Sequence, residues 1–386
     1  MATRVHTYSL PSGGSYLSVI AKRAYRIQQA RRATPIADEA PIFTDPEYAD
    51  SINEGARPRL VHDSDLFCGP KPLTDVLLRG SARSRGSPVT MLDTALQVEQ
   101  ARKAVRVFGD RRIEEGPHGT LRFSAPKPFI EMPLLWDHAY GGVDFAADKL
   151  LPPEVVKIPG AEVLIADEML GGVLGYPRNV SGRGFFINVD RSRVLGALAP
   201  NLEDPTDPVT ATRIFARDDR DWLDRPVASC YGPIDWFTFP RAAFLIPPDF
   251  SPPSRPIHEL SVGAILHGDL KEELDLLSGP PKNPRVYNAA PAGLAVCRLT
   301  GGERVKLWNL HRREALFEFD LPGDTPKLVL QPPGVAARTL APLLQTVLIE
   351  PDEDRVTLTW AGVMEVAVPY PPEMTATMTH SAVWDR

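Results

Sequence analysis

The sequence predicts a mainly β protein of antiparallel sheets, sandwich or barrel-like, with long Pro- and Gly-rich loops and a few short helices. Short apolar or alternating runs recur along the 386 residues and are separated by Gly and Pro. There are 40 prolines, roughly twice the usual share of about 5%, and proline shortens helices and central strands. No repeat of about 20–50 residues is visible, which disfavours solenoids and propellers.

The first predicted strand covers residues 15–27, whose second half alternates between apolar and polar side chains. A second covers 72–79. Residues 91–99 and 103–108 then form two alternating runs with a short polar joint, which predicts a β-hairpin.

The middle of the chain, residues 149–221, has little periodicity and is rich in Gly and Pro. The best helix candidate is 260–277, where leucines recur every three or four residues although Gly263 and Gly268 weaken the pattern.

Short apolar runs return in the last third of the chain and predict strands. The clearest hairpin joins residues 347–350 to 355–360 through an acidic turn, and one more strand and a loose end are predicted after Val363. The other strands are predicted at 293–299, 304–310 and 315–319. The chain is expected to divide into a β-rich region with an irregular middle (1–250) and a second β-rich region (251–386), packed together as one compact body.

Composition excludes several classes of function. The net charge is −6, the pI is about 5.8, no long basic run is present, and adjacent arginines form only isolated pairs, so nucleic acid is not an expected ligand. No signal peptide or apolar run of about 18 residues is present, so no membrane contact is expected. Three scattered cysteines, Cys68, Cys230 and Cys297, favour the reducing cytoplasm.

The segment 131–144 has the most informative composition, because Trp136, His138 and Tyr140 lie beside carboxylates and before a glycine pair. Aromatic rings with polar tips are typical of surfaces that hold a partner. Asp137 and His138 are also acid–base groups, so a hydrolase using His138 with Asp110 or Asp137 stays open as an alternative.

No nucleophile elbow, phosphate loop or HExxH motif accompanies this segment, so no cofactor is expected. His62 and Asp63 with Asp65 could bind a metal, but a solvated loop is the favoured interpretation.

Loop residues form a second group of candidates. Arg183 lies between two glycines and could clamp a carboxylate or hold a loop. Four residues are interpreted as loop-shaping rather than functional, because turns and local ion pairs explain them: Asp110, Arg111, Asn201 and Asp204.

Taken in order, the motifs of this chain resemble those of one bacterial family, once labelled domain of unknown function twenty-one sixty-nine. The resemblance covers roughly residues 15–362. The motifs that carry it lie at residues 71–80, 103–112, 132–142, 179–185, 200–205, 287–291 and 307–311, and in the hairpin that ends at Trp360.

The resemblance implies a non-enzymatic adaptor, or chaperone, of type VI secretion. Such a protein binds a cognate secreted effector toxin near its PAAR-type domain or N-terminal segment and helps to load it onto the VgrG spike. Trp136, His138, Tyr140 and Arg183 are then expected to lie on, or support, the partner-binding face. Alanine at Trp136 or Arg183 should weaken toxin binding with little change in melting temperature. A structural component of an injection particle remains a second alternative.

Overall fold

The computed structural model describes residues 2–9, 15–38, 40–54, 56, 58–66, 71–144, 176, 178–187, 191–216, 225–235, 238, 241, 287–367 and 370–384. Within these residues the chain is mainly β, as predicted, with mostly antiparallel sheets and two short helices, α1 (Arg191–Val194) and α2 (Pro372–Thr375). None of the described sheets closes on itself, so the barrel-like alternative is not realised.

The largest sheet has seven strands, numbered here in chain order. They are β1 (Ala2–Ser9), β2 (Ser15–Arg26), β4 (Thr34–Pro35), β7 (Thr74–Leu78), β19 (Ala295–Val296), β24 (Leu343–Glu350) and β25 (Arg355–Val366). Their order is β1-β2-β25-β24-β7-β19, with β4 paired to the end of β2. Only β24 and β7 pair in parallel within this sheet, and they place Leu348 beside Leu77.

The second sheet has six strands in the order β17-β10-β9-β20-β21-β3. They are β3 (Arg31–Arg32), β9 (Met91–Val98), β10 (Ala101–Phe108), β17 (Leu202–Glu203), β20 (Arg304–Trp308) and β21 (Leu316–Asp320). The hairpin of β9 and β10 turns at Glu99, whose φ of 50° is left-handed.

The remaining strands form small sheets around these two. A three-stranded sheet contains β22 (Pro326–Gln331), β23 (Arg338–Leu340) and β26 (Thr379–Trp384). The pairs are β5 (Glu47–Ala49) with β6 (Arg59–His62), β8 (Ser81–Arg83) with β13 (Glu131–Pro133), β11 (Ile113–Glu115) with β12 (Leu121–Phe123), β14 (Tyr140–Gly141) with β15 (Arg183–Gly184), and β16 (Phe186–Ile187) with β18 (Phe215–Ala216).

The core lies between the two large sheets. Alternate residues of β20 and β21 are buried, for example Leu307 and Phe317, and they share one apolar cluster with Val347 and Leu358 of the seven-stranded sheet. The β1–β2 side of that sheet packs through Leu17 on the three-stranded sheet. The architecture is therefore a sandwich with a third, smaller layer.

Local alternation predicted most of these strands correctly, including both hairpins. The predicted strand at 293–299 is reduced to Ala295–Val296, and β25 extends past Trp360 to Val366. The strand predicted in the tail is β26, which follows α2. The helix predicted at 260–277 lies outside the described residues, as does most of the irregular middle.

Both large sheets combine strands from before and after residue 250, while the boundary between 1–250 and 251–386 stays a prediction. Among the described residues, no helix has both the length and the apolar character needed to cross a membrane.

Candidate functional site

The segment 131–144 forms β13, a single 3-10 turn at Trp136–His138, and then β14. The turn is closed by two main-chain bonds, from His138 to Leu135 (3.0 Å) and from Ala139 to Trp136 (3.1 Å). The turn folds the chain so that its aromatic residues are directed into the protein, where all three are buried.

Trp136 and Tyr140 are interior residues whose polar tips bond main-chain carbonyls. Trp136 is 8% exposed, and its Nε1 donates to Pro233 O at 2.9 Å. Tyr140 is fully buried, and its hydroxyl donates to Ile214 O at 3.0 Å. Each therefore fixes the turn to a loop distant in sequence, and can support a binding face without forming one.

His138 is likewise bound by main chain. Its Nδ1–H donates to Pro133 O at 2.8 Å, and its own carbonyl accepts from Asn201 N at 2.8 Å. Burial and then the Arg183 guanidinium lower the pKa of His138, so the ring is neutral at neutral pH. Its ring bond to Pro133 is structural, whereas a catalytic pair would need a carboxylate within hydrogen-bond reach.

Asp137 is a fully buried carboxylate that ties the turn to the segment before β6. Its Oδ1 accepts from Ile52 N at 2.9 Å, and Arg59 lies 3.4 Å away. The carbonyl of Asp137 accepts from Asn53 Nδ2 at 2.8 Å and from Arg183 Nε at 3.1 Å. Arg183 thus binds a main-chain carbonyl within the protein. Of the two roles predicted for it, clamping a carboxylate or holding a loop, this contact corresponds to the second.

Asn179 completes this arrangement from the 179–185 motif. Its side-chain amide donates to Trp136 O (2.8 Å) and Tyr140 O (3.1 Å). A Cβ on Gly141, whose φ is 148°, would lie 2.1 Å from Asn179 O, so the two segments touch main chain to main chain. We call the set Asn53, Asp137, Asn179, Arg183 and Asn201 the loop junction.

Of the four residues interpreted as loop-shaping, Asn201 belongs to the loop junction, Asp110 and Arg111 lie beside it, and Asp204 lies in a turn. Asn201 donates to Phe108 O (3.1 Å) and to Asp110 Oδ1 (3.2 Å). Arg111 donates to Pro200 O and lies against the Phe108 ring at 3.9 Å; burial lowers its pKa to about 10, against the opposing charge of Glu203. Asp204 Oδ1 accepts from the main chain of Thr206 at 2.8 Å within a turn.

A second buried polar cluster, which we call the Asp75 joint, consists of Lys71, Asp75 and Asn288. Asp75 is fully buried and accepts from Lys71 Nζ (2.7 Å) and Asn288 Nδ2 (2.8 Å). It also accepts from the main chain of Ala289 (2.9 Å) and Ala290 (3.1 Å). The joint fastens the 71–80 motif to the 287–291 motif, more than two hundred residues later in the chain.

A groove lies beside Trp136 and β6. It encloses a cavity of about 110 Å³. Apolar side chains of Phe43, Leu60, Leu77, Leu134, Trp136 and Leu348 line it, together with a rim of polar and charged side chains from Lys22, Arg59, His62, Asp63, Asp65, Lys71 and Arg79. We call this the Trp136 groove.

Two charged residues of the rim, Lys22 and Asp65, form a neutralised pair. Lys22 Nζ lies 2.8 Å from Asp65 Oδ2 and 4.4 Å from the centre of the Phe43 ring. The Asp65 carboxylate also accepts from Phe43 N at 2.8 Å. Asp65 therefore serves as a structural acceptor, and among the described residues no cluster of three or more His, Cys, Asp or Glu side chains could hold a metal ion.

Arg79, also on the rim, belongs to a group of two arginines and one carboxylate. Arg79 and Arg355 share the carboxylate of Glu350, and the Arg79 side chain is 42% exposed. Arg79 donates to His62 Nε2 at 2.6 Å. Burial, followed by the charges of Arg79 and Lys22, lowers the pKa of His62 to about 4, so this imidazole is neutral at neutral pH.

The pKa of Glu350 shows that the shared carboxylate stays charged. Burial raises this pKa, but the hydrogen bond from Arg355 and the positive charges of Arg79 and Arg355 outweigh burial and leave it lowered. The group Arg79, Glu350 and Arg355 therefore carries one more positive than negative charge.

A family model described as "Uncharacterized protein conserved in bacteria (DUF2169)" matches residues 12–361. The chain belongs to this family. The DUF2169 match spans the loop junction, the Asp75 joint and the Trp136 groove. No curated protein and no solved structure matches the chain.

Within the DUF2169 region, reasoning from sequence named Asp137, Arg183 and Asn201 as candidates but missed other residues that make the site. Asn53 and Asn288 are polar residues in loops, and nothing local distinguishes them from solvated ones. Asp75 had a usable signal, because Lys71 precedes it by four residues and a charged residue within an apolar strand run needs a partner. Arg79 and Leu348 become neighbours only through the parallel pairing of β7 and β24.

Proposed function

We propose that this protein is a cytoplasmic adaptor that binds a cognate type VI secretion toxin. It grips the toxin near its PAAR-type domain or N-terminal segment and helps to load it onto the VgrG spike, without a cofactor and without catalysis of its own. The ordered motifs of the resemblance support this specific assignment, and the geometry of the site supports the general one.

The observation that carries the proposal is that the polar residues of the motifs form hydrogen bonds within the protein. In the loop junction, side chains such as Asn53, Asn179 and Arg183 donate to main-chain carbonyls of loops far away in sequence. These bonds fix the turn that carries Trp136, and Trp136 lines the Trp136 groove. A surface that is ordered before binding loses little conformational entropy when a partner docks.

The size of the Trp136 groove supports a protein partner over a small-molecule substrate. Pockets for small molecules typically enclose about 300–1,000 Å³. The cavity here is about 110 Å³ and its walls are largely apolar. A cavity of this size fits one anchoring side chain, and such anchors commonly dominate protein–protein affinity.

Co-expression with the product of the adjacent gene tests the proposal. The two proteins should co-purify as a stable complex, identified by mass spectrometry and separated by size-exclusion chromatography. A toxin that stays monomeric and active beside this chain, with no complex at micromolar concentration, would contradict it.

The two alternatives predict different results. A hydrolase would lose turnover of its substrate when His138→Gln is introduced, whereas an adaptor would retain toxin loading as long as the fold survives. A structural component would be recovered in purified injection particles, whereas an adaptor stays in the cell that makes it.

A further inference from the structure

The edge of β6 borders the Trp136 groove. β6 has four residues, and all four line the groove. Side chains of a strand alternate between its two faces, so a groove lined by every residue runs along the edge of the strand rather than over one face. Among the described residues, β5 is the one strand that pairs with β6, so within that part of the chain no strand pairs with the other edge of β6.

The cavity beside this edge is built for a single side chain. Leu60, Leu77, Leu134, Leu348 and Trp136 are among the residues that line it. An apolar cavity of about 150 Å³ holds a benzene molecule. The cavity of about 110 Å³ therefore suits one Leu, Ile or Met side chain.

The positive charge of Arg79 favours an acidic residue next to that aliphatic side chain. Arg79 is the half-exposed member of the group Arg79–Glu350–Arg355, which carries one more positive than negative charge. Its neighbour His62 is neutral and accepts a hydrogen bond from it. A carboxylate arriving from solvent would meet this guanidinium at the rim without displacing the buried Glu350.

We infer that the Trp136 groove captures an extended segment of the partner, which pairs with β6, places one aliphatic side chain in the cavity and sets an adjacent Asp or Glu on Arg79. Main-chain bonds along a strand edge supply affinity in such complexes, and pockets for alternate side chains supply specificity. The inference rests on the proposed adaptor function and names the segment that the adaptor binds.

Two substitutions test the groove. Leu348→Trp fills the cavity from β24, and Arg79→Gln removes the rim charge while keeping a donor for Glu350. Matched controls are Leu316→Trp and Arg304→Gln, which make the same changes on the six-stranded sheet at residues that are exposed and do not line the groove. The probes are the protein encoded by the adjacent gene and overlapping short peptides that cover its sequence.

Leu348→Trp should weaken binding of the adjacent-gene protein by about tenfold or more, because the anchor loses its cavity. Arg79→Gln should weaken it by about three- to tenfold and reduce its dependence on salt, because a rim charge is lost. Both controls should bind like the wild type. The bound peptide should contain an aliphatic residue within two positions of an acidic one.

The melting temperatures of all variants are measured alongside. If Leu348→Trp does not fold, Val61→Trp replaces it, because Val61 of β6 lines the same cavity. If a folded groove-filling variant and Arg79→Gln both bind with wild-type affinity, the Trp136 groove is not the binding site. The proposed adaptor function would not be affected by that result. Binding of basic peptides alone would also overturn the inference about the groove. Failure of the wild type to bind the adjacent-gene protein would overturn the adaptor function itself.

Discussion

Single residues of this protein show why composition alone could not separate core from surface. Trp136 and Tyr140 combine an apolar ring with a polar tip, and this combination suits a binding face and a satisfied core equally well. The structure places both inside, with the polar tips on Pro233 O and Ile214 O. Because Trp136 is buried, we expect Trp136→Ala to remove packing contacts and lower the melting temperature. The sequence alone had predicted little change in melting temperature. Whether these two side chains are buried depends on carbonyl groups far away in the sequence, and a local sequence pattern does not reveal the positions of those groups.

Asp75→Asn tests the Asp75 joint. Each carboxylate oxygen accepts two hydrogen bonds, so the amide nitrogen of Asn would face two donors whichever way it turns. Lys71 would also become an uncompensated buried charge. We expect the free energy of unfolding in urea to fall by about 3–5 kcal/mol.

The control for this substitution is Asp93→Asn. The Asp93 side chain is 53% exposed and pairs with Arg106 on the surface of β9 and β10. Its loss should cost about 0–1 kcal/mol. Equal effects of the two substitutions would show that Asp75 is not a structural joint.

Elements of the fold were readable from the sequence where their partners are local. The hairpins β9–β10 and β24–β25 follow from alternation and a short polar turn. The pairing of β2 with β25 and the parallel pairing of β7 with β24 join segments hundreds of residues apart. A strand's own pattern states which face is buried but not which strand lies beside it, so the groove formed at β7 and β24 could not be predicted.

Gly141→Ala tests the contact between β14 and the 179–185 segment. The added Cβ would lie 2.1 Å from Asn179 O, at a backbone φ of 148°. We expect a loss of about 2–4 kcal/mol in the free energy of unfolding, from overpacking added to backbone strain. Gly86→Ala is the control, because Gly86 also has a positive φ (74°) but no atom lies within 4 Å of its Cβ position. A loss at Gly141 no larger than that at Gly86 would mean that the two segments can separate freely.

The whole molecule is a sandwich in which motifs between residues 71 and 291 of the matched region meet at two polar joints. Motifs at 132–142, 179–185 and 200–205 meet in the loop junction, and those at 71–80 and 287–291 meet in the Asp75 joint. The sequence predicted the mainly β class, because that class depends on local patterns. It could not predict that the polar motif residues face inward, beside an apolar groove whose lining includes Arg79.

Hydrogen–deuterium exchange of the protein, free and bound to the product of the adjacent gene, tests the central claim most directly. We propose that a protein whose loops are already ordered binds another protein along β6. The account predicts that binding slows amide exchange at residues 59–65 and around Arg79, while residues 132–142 exchange slowly in both states. A complex that leaves 59–65 unchanged and protects only the exposed face of β20 and β21 would contradict it.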